Sequence, residues 1–128
     1  MFNSIFNFLF GWMKNEKTAV QAVIQVLAAE AFSRRSGLAA KLLPYLDTLG
    51  ASLRVGTIAS SAAAGAFISN AIAKADFKPE EIAIVSLFLG SLQAQIADKK
   101  IPINNMSDVE EYVSWIRSTA AIYAVQQK

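Results

Sequence analysis

Residues 55–97 read VGTIASSAAAGAFISNAIAKADFKPEEIAIVSLFLGSLQAQIA. Two uncharged stretches, 55–73 and 82–97, flank a short polar turn, a pattern shared by a transmembrane hairpin and by two core helices of a bundle. The bundle is favoured. The first stretch is rich in alanine, glycine and serine and holds Asn70, so its transfer into lipid is weak. The second has about sixteen residues, fewer than the roughly 20 a spanning helix needs, and carries Gln93 and Gln95. Gly56, Ser60 and Ala64 form one row of small residues, and Ser61, Gly65 and Ser69 another. That spacing lets helix backbones approach closely, which makes 55–73 the expected central packing helix.

Working outward, Pro79 suits a first helical position, with Glu80 and Glu81 behind it to favour the dipole. Ile82, Val85, Leu89, Leu92 and Ile96 then form a stripe, widened by Ile84, Leu87 and Phe88, and Lys99 with Lys100 closes the helix at its negative end. Ser107-Asp108-Val109-Glu110 has the spacing of a capping box. The last helix buries Val109, Tyr112, Val113, Ile116, Ala120 and Tyr123, with Trp115 and Ile122 beside them. Upstream, Leu42, Leu46, Leu49 and Leu53 recur at 4-3-4 spacing, but Pro44 is expected to end a short helix near Leu43 or to kink it. Before that, Asn15 is a plausible N-cap, and Val20, Val23, Ile24, Leu27 and Ala31 line a helix reaching about Arg35. Glu30 can pair with Arg34, and Gly37 can take the left-handed cap.

The expected fold is therefore all-α, a bundle of five to six helices with an amphipathic, aromatic-rich N-terminal helix, above roughly two-thirds helix and without sheet. Ala62, Ala66, Ile82, Val85, Leu89, Leu92, Val113 and Ile116 are its expected interior. Residues 1–14 stand apart from a single domain spanning 15–128. The first thirteen residues carry no charged side chain and hold four of the eight phenylalanines and one of the two tryptophans. Wound at 100° per residue, Phe2, Ile5, Phe6, Phe8, Leu9, Phe10, Trp12 and Met13 fill one wide arc, against Asn3, Ser4, Asn7, Gly11 and Lys14. A helix of a dozen residues is about 18 Å long, so it lies on a surface and does not cross a bilayer. These eight residues are the candidate docking face, for a protein partner or a further copy of the chain, or for a membrane surface.

Composition narrows the function classes. There is no cysteine and no histidine, which removes disulfides, thiolate sites and the commonest general base and metal ligand. The net charge of +2 comes from 12 cations against 10 anions, without the dense stripe of a nucleic-acid binder. No phosphate-binding glycine loop and no S-x-x-K occurs. The carboxylates Glu80-Glu81 and Asp108-Glu110-Glu111 sit in first turns, where capping accounts for them better than a cation site or an acid–base pair. Arg34, Arg35, Lys41 and Arg54 are a weak candidate for a basic patch, with helix-end solvation the simpler account. A secretory signal fits poorly, because a greasy segment precedes Lys14 and Lys17, and Gln21 and Gln25 interrupt the apolar run. The sequence thus points to a non-enzymatic structural or interaction protein that works in an assembly, intracellular or virion-associated, without cofactor, metal, nucleic acid or small-molecule substrate. The alternative is a small membrane-active or membrane-integral protein with holin-like hairpin logic.

Overall fold

A computed structural model describes residues 16–74 and 76–126. The docking face from Phe2 to Met13 and the Asn15 cap lie outside the described residues. Five helices take up 81% of those described, with no strand among them: α1 (Glu16–Ser33), α2 (Leu38–Arg54), α3 (Ser61–Lys74), α4 (Pro79–Ala97) and α5 (Met106–Gln126). None is long and apolar enough to cross a membrane.

The helices form a closed ring. Each has two principal neighbours, in the order α1, α4, α3, α2, α5 and back to α1, so α5 separates α1 from α2 although those two are consecutive in the chain. Short connections reverse direction at each turn, and an odd ring then forces one parallel pair. That pair is α1 and α5: Lys17 meets Glu111 near their starts, and Phe32 stacks at 6.4 Å on Tyr123 near their ends. The α2–α5 contact is the most extensive and α3–α4 the least. Inside the ring the leucine stripe of α2 is buried as its spacing dictates, together with Ile24, Ala28 and Phe32 of α1, Val85 and Phe88 of α4, and Val109, Val113, Ile116 and Ala120 of α5.

Pro44 does not break α2, which runs unbroken through it. The missing N–H leaves the Ala40 carbonyl without its usual partner, but Ala40 and Pro44 are both exposed, so water reaches that oxygen. The buried Leu38, Ala39, Leu42 and Leu46 hold the helix on the opposite side.

The expected helix over 55–73 loses its first turn. Gly56, at φ +82°, closes α2 with its N–H on the Leu53 carbonyl, and Ser60 opens α3 by accepting the Ala63 N–H at 3.0 Å. The rows of small residues do not mediate close helix contact. Ser61 and Ser69 are exposed, and a Cβ added at Gly65 would meet nothing nearer than Gln93 Nε2 at 4.0 Å. Ala62 and Ala66 are likewise exposed rather than interior, since α3 turns only Ala64, Ile68 and Ile72 inward. So α3 is a lightly packed stave of the ring, not its centre. Ile82, Leu89 and Leu92 are half-buried, and the buried side of α4 runs through Glu81, Val85 and Phe88.

The helix ends correct one further expectation and give the backbone geometry of another. Helix α5 starts at Met106, with Asn105 as its cap: the Asn105 side-chain oxygen accepts the Asp108 N–H at 3.2 Å, and Asp108 Oδ2 accepts the Asn104 N–H at 2.9 Å. The cap is therefore Asn105, two residues before the S-x-x-E reading, with Asp108 bonding back to the Asn104 amide rather than to the cap's own, and Ser107 points its hydroxyl at Asn105. At the end of α4, Lys100 N–H bonds the Gln95 carbonyl at 2.9 Å and Lys99 N–H the Ile96 carbonyl at 3.0 Å. This is a Schellman turn, in which Lys99 takes φ +61°, a position that usually goes to glycine. The Glu30–Arg34 pair at 2.9 Å is as the sequence predicts, and Gly37 is left-handed as expected, at φ +87°, but α1 already ends at Ser33 and Gly37 stands as the N-cap residue of α2 rather than as the cap of α1.

Candidate functional site

The ring encloses an apolar cavity of about 120 Å³. Its floor is built by residues that are all buried: Ile24 of α1, Leu42, Leu46 and Leu49 of α2, and Val109, Tyr112, Val113 and Ile116 of α5. The lining residues that keep solvent exposure sit almost entirely on the lightly packed pair. Gly65 of α3 and Leu89, Leu92 and Ile96 of α4 are half-buried, Ser61 and Gln93 are exposed, and Ile103 of the α4–α5 loop is half-buried at the same end. The cavity therefore opens through the α3–α4 seam, where small residues on α3 leave space that larger ones would close. Its chemistry is aliphatic and aromatic throughout, with only Ser61 and Gln93 offering polar side chains at the rim and the hydroxyl of Tyr112 below. That hydroxyl donates to the Pro102 carbonyl, fixing the loop over the floor. Burial and the charges of Asp108 and Glu111 raise its pKa above the ordinary 10.0. The lining suits an apolar side chain.

The carboxylates are engaged elsewhere. Glu81 is buried and accepts from Lys41 Nζ and from the Lys78 N–H, each at 2.8 Å. Burial raises its pKa, but the bonds from Lys41 and Lys78 and the charges of both lysines outweigh burial and hold it below the ordinary 4.5. Lys41 is thus not part of a basic patch with Arg34, Arg35 and Arg54. It also donates to the Asp76 carbonyl at 3.0 Å and stands 5.6 Å from the centroid of Phe77. Arg34 is on Glu30, and Arg54 lines a separate polar cleft between α2 and α5 with Asp47, Glu110, Glu111 and Arg117. In that cleft Arg117 Nε donates to Asp47 at 2.7 Å. Asp108 is spent on the α5 cap, and Lys17 Nζ stands 3.2 Å from Glu111 Oε1 without hydrogen-bond alignment. Among the described residues no three acidic side chains come together to hold a metal.

The buried Glu81 and the seam cavity escape a reading from sequence. Glu81 looks like one of two equivalent first-turn acids, and only its spacing of four from Val85 places it on the inward face. The cavity depends on which helices are neighbours in the ring, although Ala64 and Gly65, set four and three residues before the inward Ile68, are a trace of it. No family model, curated protein or solved structure matches this chain.

Proposed function

We propose that this chain is a non-enzymatic structural or interaction protein that acts in an oligomeric or larger assembly and docks through residues 1–14. In helical form Phe2, Ile5, Phe6, Phe8, Leu9, Phe10, Trp12 and Met13 share one face. Each such side chain is worth about 1.5–3 kcal/mol when fully buried, which is too much apolar surface for a small domain to leave in water. The observation that carries the reading is that α1 to α5 close a ring with a buried residue stripe on every helix, so the domain has a core built by residues 16–126. The acidic clusters support a structural role as well, because Glu81, Asp108 and Glu111 are taken up in an ion pair, a cap and a second ion pair.

The test is the solution mass of the full chain, purified without detergent, beside the full chain carrying Phe6→Ser and Leu9→Ser. A defined oligomer that the double substitution dissociates, with helical signal retained, is the expected result. A chain that stays in solution only with detergent, or that partitions onto phospholipid vesicles as a monomer, would transfer the docking face to a membrane and overturn the assembly reading.

A further inference from the structure

We infer that residues 61–68 of α3 are a gate over the apolar cavity. They peel away from α4 about the anchored turn at 76–78, on slack supplied by residues 55–60, while the other four helices stay packed. The inference concerns the helical ring alone and is independent of the docking reading above.

The topology singles out α3. Its contacts with α2 and α4 are the two least extensive in the ring, and both partners are its neighbours in the chain. Lifting it leaves the principal contacts of α4 with α1, α1 with α5 and α5 with α2 in place, whereas lifting α5 would break the two most extensive. Helix α3 turns only Ala64, Ile68 and Ile72 inward, against six buried residues on α2 and seven on α5. Helix α4 buries as few, but it also packs on α1 and is pinned through Glu81 to Lys41 at 2.8 Å. Segments with little buried apolar contact open locally at free energies below that of global unfolding.

The two ends of α3 are held unequally. Just past its C-terminus, Lys41 Nζ of α2 holds the Asp76 carbonyl at 3.0 Å, and the Phe77 ring centre lies 5.6 Å from that nitrogen and 6.0 Å from the Tyr45 ring centre. Ahead of its N-terminus, residues 55–60 can span about 20 Å when extended. The Gly56 and Ile58 N–H groups tie that loop back to the Leu53 and Ser52 carbonyls at the end of α2, not to α4. The cavity lies under the loosely held end: the α3 residues that line it are Ser61, Ala64, Gly65 and Ile68. A Cβ added at Gly65 would meet nothing nearer than Gln93 Nε2 at 4.0 Å, so α3 and α4 do not interlock at the mouth. The gate therefore moves where the cavity is and is hinged where it is not.

A freed segment this short does not stay helical in water, so its opening is read by amide hydrogen exchange. The full chain is measured under native conditions, with the amides of 113–120 in α5 as the reference for global unfolding. Residues 65–68 should be at least tenfold less protected than residues 70–73 of the same helix and than the α5 reference. Lys41→Met, which removes the anchor, should bring 70–73 to within about threefold of 65–68; any loss of global stability is read from α5 in the same experiment, and the comparison within α3 is unaffected. Gly65→Ala adds only an ordinary contact and favours the helix over the open state, so it should raise the protection of 65–68 roughly threefold to fivefold and leave α5 unchanged. Equal protection across 65–73 in the wild type, protection of 65–68 equal to that of α5, an unchanged 70–73 in Lys41→Met, or no response of 65–68 to Gly65→Ala overturns the proposal.

Discussion

Lys41 Nζ and Glu81 Oε1, 2.8 Å apart, tie the first turns of α2 and α4, two helices that are not neighbours in the ring. The lysine side chain keeps 38% exposure and the carboxylate 4%, so the pair is a lid with its anion turned inward. Removing the cation should therefore hurt more than removing a surface charge. Lys41→Met should cost about 2 kcal/mol near neutral pH, set below the roughly 3–5 kcal/mol of a fully buried broken pair because Lys41 is partly solvated.

The same pair fixes a pH dependence. The carboxyl of Glu81 is held below its ordinary 4.5 in the folded chain, so its contribution is complete above the unfolded value and is lost as pH falls through the lower folded one. Denaturant titrations from pH 7 to pH 3 should show the wild type losing stability in that acidic window. The gap to Lys41→Met should narrow there, because an unpaired Glu81 gains from protonation. A gap that widens on acidification would contradict the assignment.

Cap substitutions at α5 separate two alternative starts of that helix. Asn105→Ala should cost about 1 kcal/mol and Asp108→Ala a comparable amount, while Ser107→Ala should change stability by less than about 0.5 kcal/mol. The reverse ranking in chemical denaturation would move the cap to Ser107.

At the end of α4, Lys99 sits at φ +61°, where a Cβ is strained. Lys99→Gly should raise stability by about 1 kcal/mol, an effect that the greater entropy of glycine in the unfolded chain partly offsets. Gly37→Ala, at φ +87°, should lower it by a similar amount. Melting curves of the two variants should move in opposite directions.

How much of this was legible depended on whether a feature was local. The Leu42, Leu46, Leu49 and Leu53 stripe, the Pro79 start and the left-handed Gly37 follow from spacing and backbone chemistry alone, and the structure has each of them. Pro44 misleads because the cost of a missing N–H depends on whether the orphaned carbonyl sees water, and at Ala40 it does. Residues 55–60 mislead because Gly56 and Ser60 fit a small-residue row and also fit the caps of two different helices. The seam cavity left only the trace of Ala64 and Gly65 in the sequence: it arises from α5 wedging between α1 and α2, which leaves α3, with its small side chains, and α4 to close the ring.

The account rests on residues 1–14 being a docking element and not part of the domain's core. The direct measurement is the denaturation midpoint of the full chain against protein concentration, beside the full chain with Phe6→Ser and Leu9→Ser. Association stabilises only the folded state, so the wild-type midpoint should rise with concentration while the variant's stays constant, and the two should converge within about 0.5 kcal/mol at the dilute limit. A variant that is destabilised by more than about 2 kcal/mol at every concentration, with a wild-type midpoint independent of concentration, would make the segment ordinary core and contradict the account.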